Sequence, residues 1–432
     1  MKELSFYRRN AVALVLDYIF FGVGLAFASP STTLPAFMDQ LTGSALLVGM
    51  VGAVFQGAWL LPQILAANFL ANKPFKKPYL IWGGALGRPV FFLISLFLVL
   101  EGYRHAMLTA ALFLVGMALF MGTDALAALA WFDILGKSVP ASRRGRLIGI
   151  AQIASALLGL GAAVIVRYLL SNTGPGFPNN YAAIFVLAGT SFMISWGALL
   201  LLRESPSEVE PKRTPWRKFL PQLGRIWRGD RVFARVVSVR LLTGLGMLAL
   251  PFYVVFSGDQ LGLPPSAIGK FVAAQTIGSV VGSFGFGMLS DRKGSRRVVQ
   301  IAALLALLAP TLALALQFSP AEARRWLVPF FALVFVTLGV VDSSGMLGYY
   351  NYVLEIAPEK LRPVYIGLAN TLGGILVIAP VVGGWILEHI SYTALFSVTA
   401  IGVGVGFLLS LGLISATARA AAVERGEVRV TV

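Results

Sequence analysis

Residues 107–135 read MLTAALFLVGMALFMGTDALAALAWFDIL, 29 residues with no basic side chain and no proline. At about 1.5 Å per residue, a helix of that length exceeds the hydrocarbon thickness of a bilayer, about 30 Å. Eleven further stretches of the same kind lie on either side, at 10–36, 44–70, 79–100, 146–170, 181–202, 233–256, 266–289, 298–317, 326–352, 363–387 and 392–414. Backbone polar groups in lipid must bond within their own segment, and a helix achieves this. The pattern predicts an all-α membrane protein with twelve transmembrane helices.

Composition agrees. The 432 residues are 57% hydrophobic and 12% charged, about half the charge of an ordinary soluble chain, and the mean hydropathy is +0.80. No cysteine is present, which excludes disulfides, thiol nucleophiles and Cys-ligated metals; the only histidines, His105 and His389, fall in short loops. We expect no cofactor, no metal and no enzyme activity. The formal charge of +16 raises nucleic-acid binding as a possibility, but its distribution argues against it. With the N-terminus cytoplasmic, 27 of the 35 Lys and Arg residues fall in cytoplasmic segments and four in external ones. Such a bias orients a multi-pass protein in a cell (plasma or inner) membrane with both termini inside, its basic loops facing anionic lipid.

The segment Arg203 to Asp230 is polar and contains Pro206, Pro211, Pro215 and Pro221. It divides the chain into a bundle at 1–202, a linker at 203–232, a bundle at 233–416 and a tail at 417–432, with a short amphipathic helix expected between Trp216 and Trp227. The halves match each other. Asp39-Gln40-Leu41 recurs as Asp259-Gln260-Leu261, and Lys76-Lys77 aligns with Arg296-Arg297, at an offset of 220. At an offset of 218, Asp124, Pro140, Arg144 and Gln152 align with Asp342, Pro358, Arg362 and Asn370. This ordered series indicates a duplicated six-helix unit. Six crossings return each copy to the same side, so the repeats are parallel, and transporters built this way bind solute near the midplane where the repeats meet.

Gly287-Met288-Leu289-Ser290-Asp291-Arg292-Lys293-Gly294-Ser295-Arg296-Arg297 resembles the loop signature of the major facilitator superfamily, which joins the second and third helices of a six-helix half. The six-plus-six layout and the Pro-x-x-x-Arg loops at Pro140 and Pro358 extend the resemblance over nearly the whole chain. It implies two pseudo-symmetric six-helix bundles, a monomer, and alternating access. It further implies a charge network in Asp291, Arg292 and Arg296, close packing at Gly287 and a tight turn at Gly294. The equivalent first-half loop departs from the pattern, with Ala71 in place of the acid and Pro74 in place of the glycine. The resemblance does not name a substrate.

Ionisable residues inside a span cost several kcal/mol and are functional candidates. Asp124 and Asp342 each precede a loop proline by 16 residues and so occupy equivalent depths. On helical spacing Asp124 shares a face with Met117, Met121 and Trp131, and Asp342 shares one with Phe335, Gly339 and Tyr349. Such a pair suits a cationic or amphipathic organic solute, or one acid takes a driving proton; the alternative is a structural ion pair. Gln152 and Asn370 are candidate solute contacts, with helix–helix hydrogen bonding as the competing role. Asp17 and Arg240 are a candidate gating pair across the halves, and Arg88 a counter-ion for Asp17 or Asp124. The reading is a secondary active transporter of a small organic solute, coupled to protons or another ion, with efflux preferred over uptake of a sugar or organic acid. A non-transporting sensor or lipid scramblase is the competing class. One charge crossing 100 mV provides about 2.3 kcal/mol, enough for roughly 50-fold accumulation.

Overall fold

The computed structural model describes residues 6–63, 66, 69–70, 73–100, 102–206, 230–318, 324–357 and 362–415. These residues contain α-helix, short 3-10 and π turns and no strand. The expected amphipathic helix at 216–227 and the tail at 417–432 lie outside the described residues. Contacts divide the chain into two units, the first comprising residues 1–212 with 262–273, the second 213–261 with 274–432. Eleven helical stretches are long and apolar enough to cross a membrane, and the shorter apolar helix Ala45–Leu60 occupies the position of the second crossing.

The first unit begins with α1 (Tyr7–Phe27), α2 (Thr33–Thr42) and α3 (Ala45–Leu60), followed by α4 (Lys77–Gly87) and α5 (Val90–Val99). The long helices α6 (Ala106–Ser138), α7 (Ala141–Leu169) and α8 (Asn179–Leu200) complete it. Two of the expected spans are interrupted. Pro30 ends α1 early, and Pro89 separates α4 from α5, because proline supplies no amide proton and disfavours helix in the residue before it. Ser44 starts α3 by accepting the Leu47 amide, the ordinary role of an N-cap serine. The core of this unit is aromatic: Phe120 and Phe192 have centroids 4.8 Å apart, Phe91 lies 5.1 Å from each, and Phe37 packs edge-on to Phe185 at 5.0 Å.

The second unit is more broken. Its first crossing is α9 (Arg231–Gly244), a 3-10 turn at Leu245–Leu248, and α10 (Phe252–Asp259). Then come α11 (Ala267–Lys293), α12 (Ser295–Ala306), α13 (Leu308–Gln317) and α14 (Arg324–Ser344), which passes through a π turn at Gly345–Tyr350 into α15 (Asn351–Ile356). The chain continues with α16 (Arg362–Gly373), a 3-10 turn at Gly374–Ile378, α17 (Ala379–His389) and α18 (Tyr392–Leu411). Asp230 caps α9 by accepting the Phe233 amide at 3.0 Å and also accepts the Tyr365 hydroxyl at 2.7 Å. One of its close helix contacts is glycine-built. A Cβ on Gly278 would fall 2.1 Å from the Val336 carbonyl oxygen, and one on Gly339 would fall 2.1 Å from that of Gln275. Small residues permit this backbone approach in lipid, where helices pack without a hydrophobic driving force.

Candidate functional site

In the first unit the polar groups of α1, the α4–α5 junction and α8 converge. Asp17 is 6% exposed and Arg88 is 3% exposed. Arg88 Nη2 lies 3.4 Å from Asp17 Oδ1, its Nη1 donates to the Phe192 carbonyl at 2.9 Å and to Ser195 Oγ at 2.8 Å, and the Ser195 hydroxyl donates to Asp17. The guanidinium also stands over the Phe21 ring at 5.5 Å. Buried charges persist when paired and hydrogen-bonded, and both members of this pair are. The indole N–H of Trp131 is buried without a close acceptor and faces Asp17, while Tyr18 packs at 6.5 Å from the Trp131 ring and meets Gln152 through its hydroxyl.

Asp124 is half-buried on α6. The Trp59 indole of α3 faces its carboxylate, and Arg88 and Asp17 are within electrostatic reach. Arg88 is engaged by other partners, so Asp124 has no cation of its own among the described residues. The face expected around it is only partly open: Met117 is 0% and Met121 6% exposed, both in the packed core. Trp131 remains partly accessible.

Asp342 of α14 is exposed and makes no hydrogen bond or ion pair among the described residues. Its expected neighbours serve packing instead. Phe335 is fully buried and Gly339 abuts Gln275. Tyr349 hydrogen-bonds to Thr243 at 2.7 Å. Asp17 and Arg240, expected as a gating pair, each have partners within their own unit. Asp17 takes the cation on a neighbouring helix of its own unit, and Arg240 Nη1 donates to Asn370 Oδ1 at 3.2 Å and the Ala369 carbonyl at 3.5 Å. Gln152 is exposed on α7, whereas Asn370 is a half-buried hub that also accepts the Tyr350 hydroxyl at 2.9 Å.

At the basic end of the first unit a network stands where the loop signature is degenerate. Asp133 pairs with Lys76 and Lys137, and Lys137 reaches Glu204 at 3.1 Å. Glu204 also accepts the backbone amides of Lys76 and Lys77 at 2.7–2.8 Å, placing a carboxylate on the N-terminus of α4, where helix amides and dipole favour it. The 133/137 spacing on one helix signals that pair in sequence; nothing in sequence linked Glu204 to a loop about 130 residues earlier. Asn10 closes the same end, bonding Ser138 Oγ at 2.8 Å and both the amide and carbonyl of Arg203 at 2.9 and 2.7 Å.

The signature loop of the second unit behaves differently from expectation. Asp291 and Arg292 are exposed and form no ion pair among the described residues. Arg296 instead donates to the Leu413 carbonyl at 3.1 Å, and Glu355 accepts the Ser295 amide at 3.3 Å. Gly294 adopts φ +77°, the left-handed turn that glycine permits. Gly287 has no described atom within 4 Å of where a Cβ would stand, so it provides no packing notch.

Residues 18–376 and 236–430 match the family model described as Major Facilitator Superfamily. The chain belongs to this superfamily. Among curated relatives, the uncharacterized MFS-type transporter YfkF of Bacillus subtilis (strain 168) is 26% identical over 59% of this chain and 60% of its own length. The MFS-type transporter pynF of Aspergillus niger is 25% identical over 40% of this chain and 36% of its own. The chain thus spans well under two thirds of the length of these relatives. Solved structures share the fold. A nucleoside transporter, NupG, superposes with a TM-score of 0.66 at 15% identity, covering 96% of this chain and 99% of that one. A D-xylose–proton symporter gives 0.68 at 15% identity, covering 96% and 99%. The chain is a multi-pass membrane protein of the transporter superfamily, whose members bind small molecules.

Proposed function

We propose that this chain is a secondary active transporter that moves a small organic solute by alternating access, driven by protons or another cation, and that Asp124 is the group that takes up the driving ion or the solute's positive charge. The reading favours export of cationic or amphipathic compounds. The observation that carries it is the state of Asp124: a carboxylate in the middle of a crossing, facing the indole of Trp59, whose nearest cation is committed elsewhere. An uncompensated acid at that depth costs several kcal/mol, a penalty repaid when a cation or proton arrives. The indole ring adds cation–π attraction for an organic cation. The charge bias of the loops supports a plasma- or inner-membrane setting with both termini cytoplasmic, and the superfamily supports a monomer.

The test is flux through purified protein in sealed liposomes under an imposed pH gradient, with tetraphenylphosphonium and ethidium as probes and a pH dye inside the vesicles. We expect gradient-driven probe movement with coupled proton flow in the parent, and its loss in Asp124→Asn. Parent-like coupled flux in Asp124→Asn would sink the proposal, with Asp342→Asn as the control expected to keep it.

A further inference from the structure

The second unit holds a cation that the reading above does not use. Arg240 stands ten residues into the crossing Arg231–Asp259, half-buried, with no carboxylate of the described residues within ion-pair distance. Its guanidinium has close neighbours on two sides. The Tyr350 ring lies beneath it at 5.5 Å, and Gly373 leaves bare backbone on another side, where a Cβ would come within 3.4 Å of the guanidinium carbon.

The hydrogen bonds around it are directional. A guanidinium only donates, so the atom of Asn370 that faces Arg240 is the carbonyl oxygen, and the amide nitrogen points away. That oxygen also receives the Tyr350 hydroxyl at 2.9 Å. The Thr243 hydroxyl donates to the Val239 carbonyl at 2.8 Å, so its oxygen receives the proton of Tyr349. The Asn370 carbonyl oxygen and the Thr243 hydroxyl oxygen are thereby occupied from within the cluster. The groups left without a described partner are Arg240 Nε and Nη2 and the Asn370 Nδ2, all donors and all part of one positively charged patch. A site with spare donors around a cation and no carboxylate of its own is complementary to an oxyanion.

We propose that Arg240 and Asn370 form a binding site for an anionic oxygen group, a carboxylate or phosphate, presented by a solute or by a lipid headgroup. This goes beyond the transport reading, and it adds an acidic group to the solutes the protein accepts. It stands on binding alone, so a failed flux measurement leaves it untouched.

The experiment is a thermal-unfolding assay on the full-length protein in nanodiscs of phosphatidylcholine, with benzoate, benzamide and benzylamine as probes of one shape and three charges. We expect benzoate to raise the midpoint and the other two to leave it unchanged. Arg240→Gln weakens the benzoate effect at least about tenfold, the worth of a charge-assisted pair of hydrogen bonds. Asn370→Asp supplies an internal carboxylate in place of the ligand, so it abolishes the benzoate response while keeping or raising the basal midpoint; it covers the case in which Arg240→Gln does not fold. A second arm replaces part of the phosphatidylcholine with phosphatidylglycerol. Stabilisation by that lipid in the parent and not in Arg240→Gln assigns the oxyanion to a headgroup, whereas a benzoate response alone assigns it to a solute. Equal responses to benzoate and benzamide, or a parent-like benzoate response in Asn370→Asp, overturn the proposal.

Discussion

Replacing Arg88 with methionine tests whether the buried ion pair or its surroundings hold α1, α4 and α8 together. The substitution keeps most of the apolar stem and removes the cation. Asp17, 6% exposed, then retains the Ser195 hydroxyl as its close partner, and the Phe192 carbonyl loses its donor. Leaving one charge of a buried pair unpaired costs about 3–5 kcal/mol. Replacing Asp17 by asparagine in the same molecule removes the orphaned charge, and an isosteric neutral pair is often close to neutral in stability. The double variant should therefore recover most of the loss, leaving a coupling energy of roughly 2–3 kcal/mol in the double-mutant cycle. The assay is thermal unfolding of the detergent-solubilised parent, both single variants and the double variant, followed by size-exclusion recovery of folded protein. If Arg88→Met is as stable as the parent, or if the double variant loses the sum of the two single losses, the pair is not the fastener described above.

Two further outcomes follow from the packing. Glu204→Gln removes the carboxylate that caps α4 and meets Lys137; we expect a loss of about 1–2 kcal/mol, in the range of an N-cap, and faster amide hydrogen exchange at residues 76–80 than elsewhere in the unit. Gly278→Leu inserts a side chain where Val336 leaves 2.1 Å for a Cβ; overpacking of this kind costs about 1–3 kcal/mol or more and should lower the yield of folded protein, whereas Gly287→Ala, with open space around it, should leave yield unchanged.

The fold was legible in sequence because it depends on coarse quantities. Twelve runs of sufficient length, the asymmetry of basic loops and the offset between Asp124 and Asp342 require no knowledge of side-chain direction. The interruptions were not read: the expected spans 10–36 and 79–100 run straight through Pro30 and Pro89, and nothing in sequence marks the π turn at Gly345–Tyr350. The candidate sites were less readable. Depth along a helix can be counted, and so Asp17, Arg88, Asp124 and Arg240 stood out. Which neighbour each meets depends on rotation and tilt, which counting does not give. Within its own unit Asp17 therefore met Arg88, and the methionines beside Asp124 went into the core. Trp59 was missed because an indole inside an apolar span looks like ordinary packing, and Glu204 because an acid just after a span looks like a boundary residue. Only their contacts, made with residues far away in the chain, distinguish them.

The π turn has a mechanical implication. A wide turn carries one residue more than an α turn needs, and such surplus is found where function demands an adjustable backbone. Tyr349 and Tyr350 both ride on it. If the segment tightened to α geometry, each following residue would advance by about 1.5 Å and swing by about 100° around the axis. Both hydroxyls would then leave Thr243 and Asn370 together, so the orientation of an entire hydrogen-bonded cluster is set by the phase of a single coil of chain.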